Sequence, residues 1–229
     1  MTRTDELVRY VATGSRPSLQ LDLAHWVEAN PRFAEFVATH RDKVRKKLRT
    51  AANEEARQDV LAELLVAHTV LADRRFAVAF EAYGAGQGGP DLSVTYRVNQ
   101  RFNFEVTRLR GETAVDAGRL TSVIAAKVRQ LPAEVANALV IVTAAVPAAE
   151  DEVTAAMRLL KTRTNARDDA FFVARGLASA RDFYARYLRL SGVLVFQTGG
   201  APVRITYVPS RDARRPLPDE ALSRLLGTR

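Results

Sequence analysis

The first 75 residues have the spacing of apolar positions that is typical of amphipathic helices. Helices are predicted there at residues 21–30, 31–49 and 53–72. The Asn30–Pro31 pair separates the first two, because the residue before a proline avoids helical geometry. In the third helix, the stretch 60–72 is apolar nearly all round, so we expect it to be buried.

Beyond residue 75 the pattern changes to the alternation of apolar and polar positions that is typical of β-strands. The predicted strands are 76–83, 91–98, 102–106, 138–143, 192–196 and 203–207, and the predicted helices of this part are 118–130, 150–161, 178–190 and 216–226. This order predicts an α/β fold in which helices flank one mixed sheet. Residues 1–52 are expected to form a helical N-terminal extension, packed on a core of residues 53–229.

Two acidic residues are predicted to face each other across the second and third strands. Side chains alternate along a strand, so Asp91 and Glu105 both point away from the apolar faces of their strands. Asp91 then lies either directly opposite Glu105 or one diagonal step from it, with Ser93 as the partner of Glu105. Both registers need a three-residue loop or a bulge near residues 98–101, since a two-residue turn at 99–100 would break the arrangement.

A third acid, Glu63, lies in the predicted buried half of the third helix, where a carboxylate is costly unless it is paired, hydrogen-bonded or bound to a metal. Converging carboxylates suit a hard divalent cation, Mg²⁺ or Mn²⁺, which leaves other positions to water and substrate phosphate. Such an ion can activate water and neutralise the charge that develops on a phosphodiester. The chain has no cysteine, and His25, His40 and His68 are scattered, so no zinc site is predicted.

The segment Pro90–Asp91, followed by Glu105–Val106–Thr107 on the next predicted strand, resembles the motif of the PD-(D/E)xK nuclease superfamily. The order of elements over about residues 53–143 is similar too: a helix with a buried acid, a strand, the Asp strand, the Glu strand, a helix and a strand. The resemblance implies a restriction-endonuclease-like fold and a Mg²⁺-dependent nuclease activity.

The resemblance also implies a set of metal ligands. Asp91 and Glu105 would bind the ion, joined by the backbone carbonyl of Val106. Glu63 would be the additional acid contributed by the preceding helix, directly or through water. The lysine of the family motif, which orients or deprotonates the attacking water, falls at Thr107, and threonine cannot do that job.

A lysine on the following helix offers a substitute for the missing one. In some members of the superfamily the basic residue lies on that helix, and Lys127 sits there at the edge of the inward-facing apolar residues. Gln130, one turn further on, is expected to point into the same cleft. The alternative is that Lys127 extends its ammonium group to solvent from a half-buried face.

The chain is basic, with 34 Lys and Arg against 26 Asp and Glu, a formal net charge of +8 and a pI near 10.2. This favours a polyanionic partner such as nucleic acid, although arginine richness can also reflect genomic base composition. The basic run at 41–49 is either a phosphate-contacting strip or a solvated helix face. The aromatic residues of the predicted helix 178–190 suit a core position, and a homodimer surface there is a further hypothesis.

Three functions remain in view. The leading hypothesis is a Mg²⁺-dependent nuclease, a hydrolase that acts on nucleic acid and more specifically on DNA. The second is a degenerate nuclease fold that binds nucleic acid or a protein without cutting, and the third is an interaction or immunity-type protein unrelated to nucleic acid. No stretch approaches 18 consecutive apolar residues, and the amino terminus lacks the apolar core of a secretory signal, so a cytoplasmic protein without membrane segments is expected.

Overall fold

A six-stranded mixed sheet forms the centre of the fold. The structure is a computed structural model that describes residues 2–82, 89–110, 116–144, 149–199 and 203–227. The strands lie in chain order across the sheet: β1 (Phe76–Phe80), β2 (Leu92–Tyr96), β3 (Gln100–Arg108), β4 (Ala136–Thr143), β5 (Leu190–Gln197) and β6 (Arg204–Pro209). The first three strands are antiparallel, β3, β4 and β5 are parallel, and β6 is antiparallel at the far edge. The predicted α/β class with a mixed sheet is confirmed.

Helices cover both faces of this sheet. They are α1 (Arg3–Val11), α2 (Pro17–Ala29), α3 (Pro31–Thr39), α4 (Arg41–Thr50), α5 (Glu54–Leu71), α6 (Ala117–Lys127) with a 3-10 turn at Val128–Gln130, α7 (Ala149–Asn165), α8 (Asp169–Val173), α9 (Ala180–Tyr187) and α10 (Asp219–Gly227). In the parts of the chain that the structure describes, no helix is both long and apolar enough to span a membrane.

Two hydrophobic clusters sandwich the sheet. The first joins α1–α5 and α10 to one face of the strands, and its largest members include Phe33, Phe76 and Phe104. The second packs α6–α9 against the other face of β4 and β5. The expected boundary between extension and core, at residue 52, falls in the short segment between α4 and α5, and hydrophobic packing is continuous across it.

The hairpin of β2 and β3 has the register that brings the two predicted acids together. Leu92 pairs with Phe104 and Ser93 with Asn103, so the next position outward sets Asp91 against Glu105. The alternative register, with Ser93 opposite Glu105, is wrong. The loop between the strands has three residues, Arg97–Asn99, as the pairing of the acids required.

Several element boundaries differ from the prediction. The stretch 31–49 forms two helices because the chain leaves helical geometry at His40, where φ is −103° and ψ is 12°. The first strand ends at Phe80, because Glu81 has a φ of 46°, and Tyr83 together with residues 84–88 lies outside the described residues. Leu190, predicted at the end of a helix, belongs instead to β5 and is fully buried there.

Candidate active site

The predicted acids meet at one end of the sheet. Asp91 directly precedes β2, Glu105 lies within β3, and Glu63 projects from α5, which packs against β1 and β3. The Asp91 carboxylate is held by the neighbouring strand, because the backbone N–H of Val106 donates to its Oδ2 at 2.8 Å. Its other oxygen, Oδ1, is thereby left facing the remaining charged groups of the site.

Lys47 of α4 occupies the middle of this acidic group. Its Nζ lies 2.6 Å from Glu63 Oε2, 3.2 Å from Glu81 Oε1 and 3.5 Å from Asp91 Oδ1. The Lys47 side chain is 26% exposed, whereas that of Glu63 is 9% exposed. Three carboxylates therefore converge on a single ammonium group, which stands where a cation bound to these acids would stand.

The sequence analysis did not single out Lys47 or Glu81. Within the basic run 41–49 the signal was present, because Val44 and Leu48 mark a buried face at four-residue spacing and Lys47 borders that face. A buried Glu63 also demands a nearby cation. No comparable signal marks Glu81, which reaches the site because the chain turns sharply after β1 and its N–H bonds the carbonyl of Asp91 at 2.9 Å.

The electrostatics of Glu63 and Lys47 follow from this arrangement. Burial raises the pKa of Glu63 to about 8; the neighbouring Asp91 carboxylate adds to the rise and the Lys47 ammonium opposes it. Burial alone would lower the pKa of Lys47, but the carboxylates of Glu63, Asp91 and Glu81 outweigh it, so its pKa is raised. Lys47 therefore keeps its proton in this site.

The structure places Lys127 and Gln130 beside Glu105. Lys127 Nζ lies 2.7 Å from Glu105 Oε1, and the Glu105 side chain is only 1% exposed. Gln130 is satisfied when its amide nitrogen faces the same carboxylate, donating to Oε2 at 3.1 Å. Burial, reinforced by the Asp91 carboxylate, raises the pKa of Glu105 to about 7, while Lys127 opposes the rise.

The remaining positions of the motif have other contacts. Thr107 lies two residues after Glu105 on the same strand and so shares its face, with a hydroxyl where the family motif has an ammonium. Arg108 and Arg110 turn toward α5 instead: Nε of Arg108 lies 3.1 Å from Asp59, and Arg110 lies 2.6 Å from the same carboxylate. These arginines join the end of β3 to α5 rather than entering the acidic group.

A cavity lies along the strands β1, β2 and β3. It has a volume of about 410 Å³ and is lined largely by small or polar side chains, including Ala77, Ala79, Ser93, Thr95 and Asn103. Ser93 and Asn103 share the sheet face of Asp91 and Glu105, because residues two positions apart on a strand point the same way. The cavity is therefore on the same side of the sheet as Asp91 and Glu105, although neither acid lines it.

The carboxylate oxygens of Glu63 and Asp91 suit a divalent cation, but the ammonium group of Lys47 occupies the position between them. Among the described residues, no group of three or more acidic or histidine side chains is placed to hold a metal ion. Mg²⁺ nevertheless needs only one or two carboxylates, because it keeps several waters. Glu63 and Asp91 already converge on one cation, the ammonium of Lys47, and both offer the hard oxygen ligands that Mg²⁺ or Mn²⁺ prefers.

Comparisons with known proteins identify no relative of this chain. The support for a function therefore comes from the geometry of this chain and from the motif at Pro90–Asp91 and Glu105–Val106–Thr107. No family model matches the chain, and no curated protein or solved structure shows significant similarity to it.

Proposed function

We propose that the protein is a metal-dependent phosphodiesterase of the PD-(D/E)xK type that cleaves nucleic acid, in particular DNA. The observation that carries the proposal is the convergence of Glu63 and Asp91 on a single cation position, next to the buried Glu105. Acids that are largely removed from solvent are unfavourable unless a cation offsets them, so their grouping at one end of a sheet favours a functional site.

Asp91, Glu105 and Glu63 would hold the ion, with the Val106 backbone carbonyl as a further oxygen. A bound Mg²⁺ or Mn²⁺ would supply activation of water and neutralisation of charge on the phosphodiester. Asp91 is prepared for this role because the Val106 N–H fixes one of its oxygens and leaves the other directed at the acidic group.

Lys127 would take the part of the missing motif lysine. Burial alone would lower its pKa, but the carboxylates of Glu105, Asp91 and Glu63 outweigh burial, so the pKa of Lys127 is raised and the group is protonated. A protonated lysine donates hydrogen bonds and carries a positive charge, so we assign it to orienting the attacking water rather than to removing its proton. Gln130 helps to fix Glu105 from the same side.

The substrate class follows from charge. The net charge of +8 favours a polyanion, and phosphate neutralisation supplies most of the affinity in such complexes. The exposed residues Lys46 and Arg49 of α4, with Arg45 and Tyr10, border a separate cavity of about 380 Å³ and are candidates for phosphate contacts outside the reaction site.

The acids can be tested by substitution. Asp91→Asn and Glu105→Gln should each reduce cleavage of plasmid DNA in Mg²⁺ or Mn²⁺ to the background rate, since each removes a charged ligand and keeps the side-chain shape. Asp212→Asn is the matched control, because Asp212 pairs with Lys161 on the opposite part of the molecule. Circular dichroism checks that the variants fold. Cleavage at the wild-type rate by a folded Asp91→Asn or Glu105→Gln protein would contradict the proposal.

A second candidate function is a nucleic-acid-binding module without catalysis. Thr107 in place of the motif lysine favours it, and so does Lys47, which neutralises the acids without any metal. In this case the protein would bind an oligonucleotide with an affinity that falls steeply with salt, and neither Mg²⁺ nor Mn²⁺ would produce cleavage. Binding that does not respond to salt would contradict this second function.

A further inference from the structure

Lys47 is held firmly in the acidic group although it comes from the helical N-terminal part of the chain. On either side of it along α4, Val44 and Leu48 are fully buried or nearly so, which fixes the helix against its neighbours. Its ammonium group lies 5.1 Å from the centre of the Phe80 ring and contacts three carboxylates. The position of this lysine is thus built into the packing of α4.

We propose that Lys47 is an internal competitor of the divalent cation: its ammonium group holds the cation position between Glu63, Glu81 and Asp91 in the metal-free protein and must leave these carboxylates when an ion binds. This inference rests on the metal site of the proposed function and adds a residue that the nuclease motif does not contain. Two cations cannot share the same carboxylate oxygens at these distances, because their repulsion is large in a site with little solvent.

The two lysines of the site differ in the number of proposed metal ligands that they contact. Lys127 approaches from α6 and pairs with one proposed ligand, Glu105, whereas Lys47 bridges two of them, Glu63 and Asp91. The Lys47 side chain is partly exposed, and its flexible four-carbon stem allows the ammonium group to turn toward solvent while α4 stays in place. Once released from the carboxylates, the ammonium group of Lys47 would also be available to pair with the incoming phosphodiester.

Removing the ammonium group should therefore tighten metal binding. Lys47→Met keeps an unbranched apolar stem next to Phe80 and leaves the carboxylates to the ion alone. We expect Mn²⁺ to bind this variant about tenfold more tightly than the wild type, within the usual range of coupling between two sites. Calorimetric titration of the full-length proteins with MnCl₂ measures this difference.

Lys43→Met is the matched control. Lys43 lies one turn before Lys47 on the same helix and has the same charge, but its Nζ donates to the backbone carbonyls of Phe80 and Glu81, at 3.2 and 3.4 Å. Its loss should leave the Mn²⁺ affinity unchanged, which separates displacement of Lys47 from a general effect of net charge. Equal affinities of Lys47→Met and the wild type would overturn the inference, as would equal tightening by both variants.

A second variant keeps the test decisive if Lys47→Met does not fold. Lys47→Gln removes the positive charge but keeps a polar side chain of similar length beside Glu63, so it should also tighten Mn²⁺ binding; unchanged or weaker binding would overturn the inference. Thermal unfolding gives an independent measure, since Mn²⁺ should raise the midpoint of a folded Lys47→Met protein more than that of the wild type.

Failure of the inference is distinguishable from failure of the proposed function. If the wild type and Lys47→Met bind Mn²⁺ equally and Asp91→Asn abolishes binding in both, the metal site stands and only the competition is refuted. If folded wild type, Lys47→Met and Lys47→Gln all fail to bind Mn²⁺, the metal site itself is refuted and the inference with it. Binding by Lys47→Met alone would support both.

Discussion

At the scale of single residues, the candidate site sets four carboxylates against two ammonium groups: those of Glu63, Glu81, Asp91 and Glu105 against those of Lys47 and Lys127. When all six groups are ionised, the site has two negative charges in excess, which one divalent cation would neutralise. Protons can meet the same need, since burial and the adjacent Asp91 raise the pKa of Glu63 to about 8 and that of Glu105 to about 7. The site therefore has an excess of negative charge that an added cation would relieve.

Lys127 gives a prediction that separates its role from metal binding. Lys127→Met should slow cleavage by about 100-fold, because the attacking water loses the group that orients it, and should lower kcat rather than raise KM. Mn²⁺ binding should persist, because this lysine contacts Glu105 and is not itself a ligand. Steady-state kinetics and calorimetry measure the two effects. Lys161→Met, at a surface pair with Asp212, is the control; a Lys127→Met protein that cuts at the wild-type rate would exclude the assigned role.

At the scale of elements, three helices of the N-terminal part meet around His68 of α5. The ring of Trp26 from α2 stacks on it at 5.7 Å between centroids, and Phe33 from α3 meets it edge-on at 5.2 Å. The Asn30 side chain, which also caps α3, donates to the backbone carbonyl of His68 at 3.4 Å. Burial lowers the pKa of His68, with the nearby His25 adding to the effect. A neutral imidazole is therefore part of this helix junction.

This junction should make the protein sensitive to acid. Because the pKa of His68 is lower in the folded protein than its ordinary value of 6.5, the unfolded chain takes up the proton first, and the free energy of unfolding should fall as the pH drops below 6.5. Burial lowers the pKa of His40 as well, so His68→Gln should weaken this pH dependence without abolishing it. Urea unfolding at several pH values measures the slope. Arg181→Gln, at an exposed position of α9, is the control, and an unchanged slope in His68→Gln would contradict the prediction.

The helices and strands were predictable to different degrees, for physical reasons. Alternation located β2 and β3 well, because the apolar side chains of each strand lie on one face and the polar side chains on the other. It left two registers open, since in β3 the polar face, with Asn103 and Glu105, is buried as well. The break at His40 was not predictable, since the residues on both sides favour helix and only tertiary packing ends α3 there. The inward turn of Lys47 depends on how α4 packs on α5, which a local pattern does not specify. Asp91, Glu105 and Glu63 were accessible to sequence reasoning. Glu81 was not, and the sequence marked Lys47 only as a residue beside a buried helix face.

At the scale of the whole molecule, the two hydrophobic clusters share the strands of one sheet. The N-terminal helices belong to the first cluster together with buried residues of β1, β2 and β3, such as Phe80, Leu92 and Phe102. The opposite face of the sheet is covered over β4 and β5 by α6–α9, and the cavity lined by Ser93 and Asn103 lies over β1, β2 and β3. The N-terminal helices thus stabilise the strands that carry the site and also supply Lys47.

This arrangement predicts that the N-terminal helices and the sheet unfold together. Trp26, the single tryptophan of the chain, reports on the helices by fluorescence, whereas far-UV circular dichroism reports on the whole molecule. The two signals should give the same urea midpoint, as in a cooperative two-state transition. A fluorescence transition at a clearly lower urea concentration would show that residues 1–52 unfold independently and that the shared cluster contributes little.

The three-residue loop Arg97–Asn99 also implies an order in which the site assembles as the chain folds. The contact of the Val106 N–H with Asp91 joins residues 15 positions apart, whereas the contact of Lys47 with Asp91 joins residues 44 apart. Short loops close sooner and at a smaller entropic cost than long ones. We therefore expect the hairpin to bring Asp91 and Glu105 together before α4 contributes Lys47. On this order Asp91 and Glu105 approach each other before Lys47 pairs with Asp91. Repulsion between their carboxylates would then slow closure of the site until the helices pack.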